Sequence, residues 1–348
     1  MELPKFLRKT ERKNTFPGLK NLRAAKKTAG FFGKMPEVMD KYFTHSNSQN
    51  HAVMVEGAPR QLFEGYLINL DSSVREDDFI LPDLESLLQT LASVRRQAYF
   101  VTNDCYLHPQ EFVDRLAKHN LEIPIANVFA PVRIAELYLK HEFNGAKILS
   151  LADQQFNTAL KTAGVNLVDA PHSADVVLVS HNLDFNFDLF TKGYQALTAN
   201  PNAKLVTLSM MRTRKMGADG GVVPGTRGLV RALESAARTS YYENLGRPGT
   251  KFLEIIFAES ALDPAETLFV SDSLSNDIRP VKRFGVPTAL LLTGSSSLAE
   301  AKSVKRKTSQ IILLTRLLNL YPPIFSIRWN IRQKMQKKNG HCENKLCR

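Results

Sequence analysis

The chain has 348 residues, 43% apolar and 23% charged, which is enough to bury a large α/β core and excludes a disordered or collagen-like chain. Cys105, Cys342 and Cys347 are too few and too scattered for a disulfide framework, pointing to a reducing compartment, and Ile311 to Phe325, the most apolar stretch, is cut by Arg316 and Pro322-Pro323, so no membrane span is expected. The formal charge of +12 is uneven: residues 1–34 hold ten Lys/Arg against Glu2 and Glu11, residues 302–348 hold twelve against Glu343, and the middle is mildly acidic.

In chain order, residues 1–61 read as a basic N-terminal extension and linker, with Pro36, Ser46, Asn47, Ser48, Asn50, Gly57 and Pro59 in the linker part. Leu3, Phe6, Leu7 and then Phe16, Leu19, Leu22 offer short apolar stripes there. The apolar run Tyr66 to Leu70 predicts a strand, and Leu84, Leu87, Leu88 and Leu91 predict a helix from an Asp83 N-cap to Val94. Ala98 to Val101 and Val128 to Ala130 read as strands, Pro109 to His119 and Arg133 to Leu139 as helices. A second block has strands at Lys147 to Leu151, Asp175 to Val179 and Lys204 to Leu208, and helices at Gln154 to Ala163, Leu189 to Leu197 and Gly225 to Ala236. Helix Gly249 to Ser260, strand Thr267 to Val270, helix Asn276 to Phe284 and strand Thr288 to Leu292 then resume the first texture. Ser309 to Leu320 reads as an amphipathic helix inside a basic C-terminal extension, 301–348, whose His341, Cys342 and Cys347 make no convincing metal site. Strands alternating with helices imply βαβ units around a mainly parallel sheet, in which ligands sit at the carboxyl ends of the strands.

The residues just after each strand are therefore informative. Asn69-Leu70-Asp71-Ser72 ends the first strand, Thr102-Asn103-Asp104 the second, and Ser271-Asp272 through Asp277-Ile278 the strand at 267–270, while Gly246-Arg247-Pro248 lies on a loop between them. Carboxylates, a Thr-Asn pair and a cation on strand-end loops suit a magnesium ion and a phosphate group. In this order they resemble the four motifs of the haloacid dehalogenase-like superfamily, in its 4-nitrophenylphosphatase and phosphoglycolate phosphatase branch: Asp-x-Asp-Gly, Thr-Asn-Asn, Gly-Lys-Pro and Gly-Asp-x-x-x-x-Asp-Ile. Val223-Pro224-Gly225 and Leu262 to Thr267 also read like that branch, and the likeness runs from about Phe63 to Gly294.

The resemblance implies an α/β fold: a Rossmann-like haloacid dehalogenase core at 62–145 and 241–300 with an inserted α/β cap domain at 146–240, between the basic extensions. It also implies roles. Asn69 stands at the nucleophile position and Asp71 at the acid/base. Thr102, Asn103 and Arg247 would bind phosphate, and Asp272 and Asp277 would hold a residual Mg2+. The departures matter more than the matches. A carboxylate nucleophile is indispensable to the covalent route, and an amide oxygen attacks phosphorus far less well; such a loss costs on the order of 5–8 kcal/mol of barrier. Ser72 replaces the turn glycine, Arg247 the lysine, Ser209-Met210-Met211 the cap's Asn-Pro-Asp, and Asn182 a cap Asp, while Arg212, Arg214 and Lys215 add charge to the cap loop. These changes predict a phosphatase scaffold released from catalysis.

Two basic tails on an acidic body suit phosphates, so the expected partner is RNA or a large ribonucleoprotein such as a mitochondrial ribosome; Trp329, among Arg328, Arg332 and Lys334, is expected to pack rather than to stack on a base. The N-terminal charge suits mitochondrial localisation, with the cytoplasm as the alternative. The competing function is a Mg2+-dependent phosphatase on a small phosphate ester such as phosphoglycolate or 4-nitrophenyl phosphate. A third expectation is binding of a phosphorylated small molecule without turnover.

Overall fold

The computed structural model describes residues 54–56, 62–71, 84–105, 108–216, 221–292, 295–302 and 311–314, and no helix among them is long and apolar enough to cross a membrane. The strands are β1 (Met54–Glu56), β2 (Gly65–Asn69), β3 (Gln97–Val101), β4 (Val128–Phe129), β5 (Ile148–Ser150), β6 (Val176–Val179), β7 (Lys204–Thr207), β8 (Thr213–Met216), β9 (Gly221–Pro224), β10 (Glu243–Asn244), β11 (Thr267–Ser271), β12 (Thr288–Leu291) and β13 (Ile311–Leu314). The helices are α1 (Leu84–Ser93), α2 (Pro109–Ala117), α3 (Pro131–Glu142), α4 (Gln154–Thr162), α5 (Phe187–Ala199), α6 (Thr226–Ala237), α7 (Lys251–Ser260), α8 (Arg279–Phe284) and α9 (Leu298–Lys302).

A seven-stranded sheet runs β1-β13-β12-β11-β2-β3-β4 with every pair parallel. Alternate side chains of its central strands enter opposite cores. Leu67 and Phe269 pack with Phe252 and Ile256 of α7 on one face, whereas Tyr66, Ile68, Leu268 and Val270 pack with Leu87 and Phe112 on the other. A sheet covered on both faces needs continuous apolar strands, which is why Tyr66-Leu67-Ile68 is uninterrupted. A smaller parallel sheet runs β10-β7-β6-β5, and β8 and β9 form a separate antiparallel hairpin.

In its strands the structure differs from the sequence reading at four places. Ile311-Ile312-Leu313-Leu314 is not helical: it is a buried strand between β12 and β1, since a short β-branched apolar run buried on both faces is a strand signal that mimics half a helix stripe. Met54–Glu56, in the stretch expected to be linker, pairs with it in parallel. Glu243–Asn244 joins the smaller sheet beside Val206 and Thr207, although it comes after the helix that ends the second block. The hairpin β8–β9 is an element that apolar periodicity does not mark; Asp219-Gly220 between its arms is the turn signal for it. The Asp83 cap, Ser72 and residues 1–53 and 315–348 of the extensions lie outside the described residues.

The chain returns from the smaller sheet through Gly246, where backbones cross closely. A Cβ there would lie 1.8 Å from the Leu208 carbonyl oxygen, while Met210 N–H donates to the Arg247 carbonyl at 2.9 Å. Gly246→Ala must therefore push apart the strand end and the loop carrying Arg247. A loss of about 3 kcal/mol in urea unfolding is expected, and a change below about 0.5 kcal/mol would contradict this packing.

Candidate active site

β2, β3 and β11 are adjacent in the order β11-β2-β3, so their carboxyl ends place Asn69, Thr102 and Ser271-Asp272 around one crevice. The π-type turn Leu274–Ile278, which precedes α8 where a continuous helix from Asn276 was expected, turns Asp277 back into it. Arg247 enters from the loop below the smaller sheet, ahead of a cis Arg247-Pro248 bond. Six of the seven residues singled out in the sequence are joined in one network, and Asp272 lies at its edge.

Asn69 is buried. Its amide Nδ2 donates to Asp277 Oδ2 at 2.8 Å and to Ser271 Oγ at 3.1 Å, and its Oδ1 accepts from Asp71 N–H at 3.1 Å. The Ser271 hydroxyl donates to the same Asp277 oxygen at 2.6 Å. Arg247, 1% exposed despite its length, puts Nη1 2.8 Å from Asp71 Oδ2 and Nε 2.7 Å from Asp277 Oδ1, with its guanidinium over the Phe252 ring. Asp71 Oδ1 accepts from the Thr102 hydroxyl at 2.6 Å and from Asn103 N–H at 2.7 Å. Asp71 is thus an acceptor on both oxygens, Oδ1 from Thr102 and Asn103 and Oδ2 from Arg247.

The nucleophile position is thus a hydrogen-bond donor to a carboxylate, the reverse of what attack on phosphorus requires. Burial pushes the Asp277 carboxyl up to about 6, against the opposing pull of Arg247 and the Ser271 hydroxyl. A carboxyl raised from 3.8 to about 6 takes up a proton on folding between those values, so its contribution to stability is greatest below pH 4 and is lost as pH rises to 6. Wild type is expected to lose on the order of 3 kcal/mol relative to Asp277→Asn between pH 4 and 7 in urea unfolding. A pH-independent gap would exclude this titration.

The donors present do not fit a tightly held magnesium ion. Asp277 is committed to Asn69, Ser271 and Arg247, Asp272 Oδ2 accepts from Ser295 N–H and the neutral Asn69 amide oxygen accepts from Asp71 N–H, leaving one oxygen of Asp272. Among the described residues no group of three His, Cys, Asp or Glu is placed to hold a metal. Magnesium needs at least one or two available carboxylates, and the missing charge at position 69 is the one that would complete the set.

Other cap positions are structural here. Ser209 Oγ donates to the Arg247 carbonyl at 3.4 Å and accepts from Met211 N–H at 3.2 Å, and Asn182 Nδ2 donates to the Leu151 carbonyl at 3.3 Å. Arg214 reaches across to Asp104 at 3.0 Å. Ser271, Ser295 and Asp104 take part in the site without having been singled out by sequence reasoning. A serine standing at the glycine of the fourth motif was the available signal for Ser271, and a charged residue in the third place of a Thr-Asn-Asn loop was the signal for Asp104.

Comparison with known proteins agrees with this architecture. Residues 66–166 match the haloacid dehalogenase-like hydrolase family and residues 244–315 a second family described as HAD-hydrolase-like. Chronophin of Mus musculus is 28% identical over 249 residues, covering 69% of this chain and 84% of chronophin, and the sugar-phosphatase AraL of Bacillus subtilis is 23% identical over 238 residues, covering 68% and 86%. The p-nitrophenyl phosphatase from Archaeoglobus fulgidus superposes with a TM-score of 0.66 at 21% identity over 75% of this chain and 98% of that one. The four strand-end motifs, the smaller α/β cap inserted in the chain and these matches together support the haloacid dehalogenase-like superfamily, in its capped 4-nitrophenylphosphatase branch.

Proposed function

We propose that this protein is a catalytically silent member of its branch that acts by binding. The observation that carries the reading is the Asn69 amide, buried at the nucleophile position and donating to Asp277 at 2.8 Å. Without a carboxylate there, no aspartyl-phosphate forms and Asp71 has no intermediate to serve. The partner we propose is RNA or a ribonucleoprotein gripped by the basic segments 1–34 and 302–348, in a mitochondrial setting. Support for that partner is the charge split alone.

A second reading has the relatives' names behind it: a phosphatase acting on a small phosphate ester, using the retained Asp71, Thr102, Asn103 and Asp272. Phosphate release from 4-nitrophenyl phosphate and phosphoglycolate, with millimolar magnesium, separates the two. Silence in the wild type is expected. Turnover that disappears in Asp272→Ala would establish the second reading instead. For the partner, RNA affinity should fall steeply with salt and vanish when residues 1–34 and 315–348 are removed, a cut that leaves β13 in place; salt-independent or absent binding rejects RNA.

A further inference from the structure

The two lobes meet in a polar seam that the binding reading does not use. On β8, Arg214 Nη2 donates to Asp104 Oδ1 at 3.0 Å, with the side chains 24% and 39% exposed. Asp104 is itself held in the pocket network: its N–H donates to Thr102 Oγ1 at 2.9 Å, and that hydroxyl donates to Asp71 at 2.6 Å. Cys105, the next residue, is buried under the pair, its thiol directed at the Asn103 carbonyl at 3.6 Å. Ser180 and His181, from the loop after β6 in the smaller lobe, are buried as well. Burial pushes the Cys105 thiol up and, together with Arg214, pushes the His181 imidazole down. On another part of the boundary Gln155 of α4 donates to Glu111 of α2 at 2.9 Å, so the lobes are bridged in more than one place.

The path from Arg214 through Asp104, Thr102 and Asp71 to Arg247 is joined link by link by side chains and backbone of the protein itself. An ion pair that spans two lobes and is anchored at one end to a rigid network opposes their separation more than a free surface pair does, because little side-chain entropy remains to be regained on breaking it. We infer that Asp104 and Arg214 form a clasp that holds the smaller lobe shut over the pocket, with Cys105 beneath it. Opening exposes the thiol; closure hides it. The inference is independent of what the basic segments bind.

Alkylation of Cys105 by iodoacetamide, read by peptide mass spectrometry so that Cys342 and Cys347 are counted separately, reports opening. Asp104→Asn and Arg214→Gln should each accelerate labelling about 3- to 10-fold. Electrostatics alone would drive the two apart, since losing the carboxylate favours the thiolate and losing the guanidinium disfavours it. The exchanged pair Asp104→Arg with Arg214→Asp should bring labelling back toward the wild-type rate. Changes of opposite sign, or no change in either variant, would overturn the clasp. So would acceleration that grows with low urea as steeply as global unfolding does, because it would mark a destabilised fold and not a local opening.

Discussion

Asn69→Asp is expected to lose about 2–4 kcal/mol of stability at neutral pH without a divalent cation, and magnesium is expected to restore that loss in the variant and do nothing for the wild type. The substitution turns the amide that donates to Asp277 Oδ2 at 2.8 Å and to Ser271 Oγ at 3.1 Å into a second carboxylate oxygen facing the first. Two like charges at that separation inside the protein repel strongly, and the cation beside them, Arg247, is already shared between Asp71 and Asp277. A divalent cation bound between positions 69 and 272 would relieve the repulsion. Thermal unfolding with and without millimolar magnesium is the measurement. A magnesium-induced rise in the wild type equal to that in the variant would mean that the amide does not exclude the metal. If the pocket is otherwise intact, phosphate release appears in the variant only.

Arg247→Met is expected to cost about 3–5 kcal/mol, because it strips the cation from Asp277, which is 1% exposed, and from Asp71. Methionine keeps much of the apolar stem and its contact with Phe252, so the loss reports the charge more than the volume. Burial already raises Asp277 to about 6, and removing the group that opposes this raises it further. The sign follows: the variant binds an extra proton when folded, so its deficit relative to wild type is largest at pH 8 and shrinks as pH falls toward 5. Urea unfolding at those two pH values checks both claims. A deficit under about 1 kcal/mol, or one that grows on acidification, would show that the guanidinium does not neutralise these carboxylates in solution. Arg247→Lys should fall between the two, since a point charge cannot span both partners.

The alternation of strands and helices is legible because the period of apolar residues is local: Tyr66-Leu67-Ile68 suits a strand covered on both faces, and Leu84, Leu87 and Leu91 all point inward from α1. The crevice is legible for the same reason, since parallel sheets present strand ends together. Ile311 to Leu314 is ambiguous in sequence because four apolar residues fit either period, and its neighbours Thr288 to Leu291 and Met54 to Glu56 are what make it a strand. Asn69 can be recognised as a missing nucleophile from residue type alone. That it donates to Asp277, 208 positions away, cannot.

Fold class, the charge split and the chemical identity of each strand-end residue, including the absence of a carboxylate at position 69, were all readable along the chain. Residue type and short-range periodicity are properties of neighbours in sequence. How those groups spend their hydrogen bonds was fixed only by folding: Arg247 with Asp71 across 176 positions and with Asp277, Arg214 with Asp104 across 110, and Asn69 as donor where the motif suggests an acceptor. The physical reason is that a buried polar group takes whichever partner the packed sheet order brings within about 3 Å, and no local pattern encodes that distance.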